Sequence, residues 1–194
     1  MDLSQPSPPA RASRTRSRII AGLAALLAIA GLTTGVAMSA SAAGPRRDFV
    51  SEVRHATRDF HNVDAVEHAG YAKFSDVNGV TCINGAPGQG NMGIHYVNGD
   101  LVGDGVIDPD QPEAVLYEHT ASGLQLTAVE YIVTKDAWQG AQPPELAGHP
   151  FMLITAPNRF GLPDFYALHV WVWKDNPHGT YMPWNPNVHC PPAG

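Results

Sequence analysis

Basic residues are scarce in this sequence once its first stretch is passed. Beyond residue 43 it holds eight Lys or Arg side chains against seventeen Asp or Glu, a balance of about −9 with His neutral. Nucleic-acid binding needs a basic footprint, so that class of partner is excluded. A Gly-x-Ser-x-Gly elbow is also lacking, which removes the usual signature of a serine hydrolase. The Gly-rich turn from Gly85 to Gly90 has no Lys-Ser/Thr behind it and no helix to open, so it is not a phosphate cradle. Asp104, Asp108 and Asp110 lack the register of an EF-hand loop and read as a solvated acidic turn. There is no internal repeat.

Only two cysteines occur, Cys82 and Cys190. Residues 1–43 read as a cleaved signal peptide, so both cysteines belong to the mature chain. Arg11, Arg14, Arg16 and Arg18 form the basic region of that leader. Ile19 to Met38 is its Ala-, Gly- and Leu-rich apolar stretch, and Ala40-Ser41-Ala42 is its small-residue cleavage site. No Arg-Arg pair precedes the apolar stretch, which favours general secretion over the twin-arginine route. The expectation is a secreted protein with no membrane attachment after cleavage, and with Cys82 and Cys190 joined in an oxidising compartment. Such a bridge would close a loop of over a hundred residues.

The remaining 151 residues suit one domain, with a helical segment over 44–70 and a β-rich region over 71–194. Phe49, Val50, Val53, Ala56, Phe60, Val63 and Val66 recur at helical spacing, which predicts an amphipathic helix, or two short ones broken near His61-Asn62, ending at Gly70. Short apolar runs then follow at 92–97, 114–120, 124–133, 149–154 and 166–173, separated by Gly, Pro and Asp turns. The pair 114–120 and 124–133 reads as a hairpin across Ser122-Gly123. The segment 136–148 has room for no more than a short helix, and the Pro-rich tail should wrap the surface in turns. The predicted fold class is α+β, a small antiparallel β-barrel or strongly curved sheet with an N-terminal amphipathic helix.

Successive strand residues point to opposite faces, so alternation identifies side chains that do not belong where they stand. Glu130 shares a face with Leu124, Leu126, Ala128 and Ile132. A carboxylate on an apolar face costs several kcal/mol unless paired or bound to a cation. Lys73, Lys135 and Arg159 are its candidate salt-bridge partners. His169 shares a face with Ala167, Trp171 and Trp173, His149 with Phe151 and Leu153, and His95 with Gly93 and Val97. Three imidazoles and a carboxylate are a ligand set for a divalent zinc, iron, manganese or copper ion. The candidate metal ligands are therefore His95, Glu130, His149 and His169, with His178 as a substitute. Tyr166, Trp171 and Trp173 are candidate cavity-lining residues for a small-molecule ligand, and aromatic packing of an ordinary core is the competing reading. His55, His61, His68, His119 and His189 read as surface residues.

The runs MGIHYVN, PEAVLYE, LTAVEYIV, PPELAGHPF and YALHVWVWKDNPHGTYMPWNPNVHC resemble, in this order, a group of exported bacterial proteins across nearly the whole mature chain. More remotely the order is similar to the plant oil-body-associated protein family. That resemblance implies that His95, Glu130, His149 and His169 fall on the family's His- and Glu-bearing segments, with its Trp-His-Ser-His element reduced here to Gly148-His149-Pro150. It implies no reaction. Two functions follow from the residues. One is a secreted metal-binding protein, with a metalloenzyme acting on a small organic substrate as its catalytic form. The other is a non-catalytic secreted module for a hydrophobic ligand or a cell-envelope glycan.

Overall fold

The computed structural model describes residues 48–191. The expected leader, residues 1–43, lies outside them. Asp48 opens helix α1 (Phe49–Thr57) by accepting from the Ser51 backbone N–H at 3.0 Å. A single 3₁₀ turn over Arg58–His61 follows, and Asn62 then starts helix α2 (Val63–His68), its side chain accepting from Asp64 N–H. The predicted break at His61-Asn62 is thus real: the Asn62 backbone is extended, and its side chain caps the next helix. Gly70 ends the segment at φ +91°, a conformation that suits glycine.

The strands are β1 (Ala72–Lys73), β2 (Cys82–Asn84), β3 (Asn91–Val97), β4 (Ala114–Thr120), β5 (Gly123–Thr134), β6 (Glu145–Leu146), β7 (His149–Pro150), β8 (Met152–Ile154) and β9 (Phe165–Val170), with a one-turn helix α3 (Gly99–Val102) after β3. Seven of them build one antiparallel sheet in the order β1-β3-β4-β5-β9-β8, with β2 beside β1 along the same edge of β3. The predicted hairpin is β4–β5. The sheet has two ends, and among the described residues it does not close into the expected barrel.

Both faces of the sheet are covered instead. Val115, Tyr117, Val129, Tyr131 and Val170 pack beneath Val53 and Val66 of the helices. The buried phenols on this side are anchored by carbonyls, Tyr71 to Pro112, Tyr117 to Phe60 and Tyr131 to Pro109. The opposite face carries Ala114, Leu116, Ala128, Ile132 and Ala167, and Val188 and Trp184 of the tail help cover it. Asn91 and Asn185 exchange backbone hydrogen bonds at 3.0 and 3.1 Å, fixing the tail against β3. The Cys82–Cys190 disulfide, spanning 108 residues, holds it there. A loop of that length removes on the order of 4 to 5 kcal/mol of unfolded-state entropy by the chain-entropy relation.

Three strand expectations are corrected. The run 149–154 divides at Phe151: β7 pairs with β6 in a separate two-stranded sheet, and β8 joins the main sheet beside β9. The run 166–173 stops pairing at Val170, and the backbone N–H groups of Trp173 and Lys174 turn to the Thr127 carbonyl. In β5 the register slips opposite Leu116/Tyr117, so Thr127 is an extra residue whose hydroxyl donates to Leu116 O at 2.9 Å. Leu126 therefore faces the helices, while Ala128, Glu130 and Ile132 face the other way.

Candidate metal centre

Of nine histidines, only His95 and His169 are buried, each 3% exposed. Both stand on the tail-covered face of the sheet, as does Glu130, which is 6% exposed. The sheet itself positions them. Glu130 and His169 are direct register partners across β5 and β9. On the other side Glu130 pairs with Ala114 of β4, and Ala114 pairs with Val97 of β3, placing His95 one pleat along and two strands away. On that diagonal Ala114, opposite Glu130, presents only a methyl group, and Leu116 stands opposite His95.

Glu130 Oε2 lies 3.4 Å from His95 Nε2, and Oε1 lies 3.4 Å from His169 Nδ1. The two rings stand 6.3 Å apart, nearly perpendicular at 88°. One potential ligand atom from each residue falls within 4.8 Å of the other two, so this buried group can hold a metal ion. Ligands about 2.0 to 2.1 Å from a tetrahedral ion stand about 3.3 to 3.4 Å apart, close to the separation found here between each imidazole and its own oxygen of the carboxylate.

The polar atoms of this cluster are poorly satisfied by the protein. Both ring nitrogens of His95, and Nε2 of His169, have no hydrogen-bond partner among the described residues. Buried polar groups of this kind usually find partners, and leaving one alone costs about 1 to 3 kcal/mol. The salt-bridge partners that the sequence offered Glu130 are engaged elsewhere or exposed. Arg159 clasps Asp76 at 2.7 Å, Lys135 stands 3.4 Å from Asp164, and Lys73 is exposed on β1.

Burial pushes the Glu130 carboxyl up, but the imidazoles of His169 and His95 pull it down further, leaving it below its ordinary value. Burial holds the His169 imidazole below its ordinary value, against the attraction of Glu130. The direction for His169 favours the neutral imidazole, the form that coordinates a cation.

The structure does not bring His149 to the cluster. It sits half-buried in the small second sheet, its ring stacked on Tyr181 at 3.5 Å and 21°. His178, the substitute ligand, is exposed, as are His55, His61, His68, His119 and His189.

A cavity of about 190 Å³ opens beside the cluster, with His95 and Glu130 in its wall. Phe74, Phe160 and Phe165 supply aromatic walls, while Val97, Val102, Ile132 and Leu162 supply aliphatic ones. The predicted lining residues stand elsewhere. Tyr166 and Trp173 pack with the helix-side core, where Trp173 Nε1–H donates to Thr57 Oγ1. Trp171 lies on the cluster's face at 6.3 Å from the His169 ring and donates to Met182 O, outside the cavity wall. Phe74, Phe160 and Leu162 come from irregular segments, where no periodicity marks an inward residue. The one signal available was an apolar Phe-Gly-Leu run inside a Pro-rich loop.

An antiparallel α+β domain with a buried His–Glu–His group at an apolar cavity is what the fold and the site define. No protein family, curated protein or solved structure gave a match to the chain.

Proposed function

We propose that this protein is a secreted metal-binding protein whose ion is held by His95, Glu130 and His169. One observation carries the reading: among the described residues, two buried imidazoles leave ring nitrogens without partners around a buried carboxylate that no Lys or Arg neutralises. A divalent cation would accept a lone pair from one nitrogen of each ring and cancel the carboxylate charge. Two imidazoles and one carboxylate are the donor set of catalytic zinc and of non-haem iron(II), and manganese and copper accept the same donors. Three protein donors leave coordination positions for water or substrate, so an ion here would act as a Lewis acid or activate a bound water at the cavity wall. Export is part of the proposal, supported by the Arg-then-Ala-rich beginning of the sequence and by the Cys82–Cys190 disulfide.

The test is the metal content of the purified protein by elemental emission. Close to one equivalent is expected, lost in His169→Ala and in Glu130→Gln. A protein that holds none, and whose melting temperature ignores added zinc, iron, manganese and copper, leaves the second reading. That reading is a non-catalytic binding module, and the apolar cavity favours it.

A further inference from the structure

The cavity differs in character from the cluster it touches. His95 and Glu130 are the polar side chains in its wall, and three phenylalanine rings and four aliphatic side chains make up the rest apart from Gly99. Among the described residues no Lys or Arg lines it. In the metal-free protein an anionic ligand would give up its hydration and meet only a like charge, that of Glu130. A strongly polar ligand such as a sugar would leave most of its hydroxyls facing hydrocarbon, each without a hydrogen-bond partner. The chemistry of the wall therefore selects for a neutral molecule that is apolar over most of its surface.

Size narrows the class further. At about 190 Å³ the cavity is somewhat larger than the roughly 150 Å³ apolar cavity that admits benzene, and smaller than the roughly 300 Å³ at which drug-sized sites begin. Aromatic walls from Phe74, Phe160 and Phe165 suit a flat ring packed edge or face against them. The exposed Gly99 and the half-buried Phe74, Phe160 and Leu162 bring the cavity to the surface, giving such a molecule a route in. In the wall, His95 offers ring nitrogens with no hydrogen-bond partner among the described residues.

We propose that this cavity takes a small neutral molecule of about one aromatic ring carrying a single oxygen function, with its apolar part against the phenylalanines and its oxygen facing His95 and Glu130. The role of that oxygen rests on the metal reading, since with an ion bound it takes a coordination position left by the three protein donors. The apolar selectivity rests on the cavity wall alone. Ligand class and metal can therefore fail separately.

The test is calorimetric titration of phenol, toluene and benzoate into the purified protein, metal-free and zinc-loaded, with zinc content measured on each sample. Two variants accompany it. Leu162→Trp fills the cavity from a loop, and Ile132→Phe fills it from β5, so a folding failure in one leaves the other. Phenol is expected to bind the metal-free protein at one equivalent and at least about tenfold more tightly than benzoate. Each variant should weaken phenol by about tenfold or more without changing the zinc stoichiometry. Zinc should tighten phenol and leave toluene unchanged. Phenol and toluene binding with the same discrimination against benzoate in a protein that holds no zinc would remove the metal reading and support the ligand class. The class is overturned if phenol binds neither form while zinc is held, if benzoate binds the metal-free protein as tightly as phenol, or if both variants bind phenol like the parent.

Discussion

Glu130 and His169 face each other across adjacent antiparallel strands, and their side chains meet at 3.4 Å on the face of the sheet turned away from the helices. A cross-strand pair of this kind is held by backbone hydrogen bonds on both sides, so its spacing is a property of the sheet and not of a mobile loop. His95 completes the group from β3 diagonally across β4, with Ala114 opposite Glu130 and Leu116 opposite His95.

The place of Ala114 on that diagonal is testable. Ala114→Leu puts three further carbons between Val97 and Glu130 and should push the imidazole of His95 away from the carboxylate. Overpacking of this kind costs about 1 to 3 kcal/mol. The protein should remain folded by circular dichroism while its zinc affinity falls by more than about tenfold. Unchanged affinity would mean that His95 does not need this gap.

Metal addition should stabilise the fold by mass action. At a free zinc concentration one hundred times the dissociation constant, the gain is about 2.7 kcal/mol. For a domain of this size that corresponds to about 5 to 10 °C in melting temperature, measured by scanning calorimetry. His95→Ala should abolish the rise, because loss of a direct ligand exceeds the roughly 10- to 100-fold cost of losing an outer-shell partner.

Glu113 gives the apo protein a pH dependence of its own. Its carboxyl is 1% exposed and accepts from Ile132 N–H at 2.8 Å, beyond the last residue pair between β4 and β5. Burial pushes it up to about 8, outweighing the backbone hydrogen bonds that lower it. The folded state therefore favours the protonated acid. This contribution is complete below the unfolded value of about 4.5 and is lost as pH rises through about 8. The melting temperature of the parent should fall relative to that of Glu113→Gln between pH 5 and pH 9. A constant difference across that range would show that Glu113 does not titrate there.

The disulfide carries the tail. Cys190→Ser should lower stability by about 4 to 5 kcal/mol in denaturant titrations, from loop entropy alone. It should also expose the face that Val188 and Trp184 help cover, visible as faster amide exchange in β3. A loss below about 1 kcal/mol would indicate that the Asn91–Asn185 bridge suffices.

Much of the site was legible in the sequence because strands write their two faces in alternate positions. His95, Glu130 and His169 stood out as polar residues among apolar neighbours, and they do share one face. Alternation fails wherever the chain leaves the ladder. Thr127 inserts one residue in β5 and sends Leu126 to the helix side, and the chain beyond Val170 takes Trp173 there too. His149 belongs to a two-residue strand of another sheet, and a period of two cannot say which sheet a strand will join. The cavity wall was hidden for a related reason, since Phe74 and Phe160 face inward from loops through contacts far apart in sequence. The helix break at Asn62 was readable because capping chemistry is local.

The most direct measurement is anomalous diffraction at the zinc edge from crystals of the protein grown or soaked with zinc. One strong peak is expected on the sheet face away from the helices, about 2.0 to 2.2 Å from a ring nitrogen of His95, a carboxylate oxygen of Glu130 and a ring nitrogen of His169. A peak at exposed histidines such as His178 or His189 with none between these three side chains would contradict it.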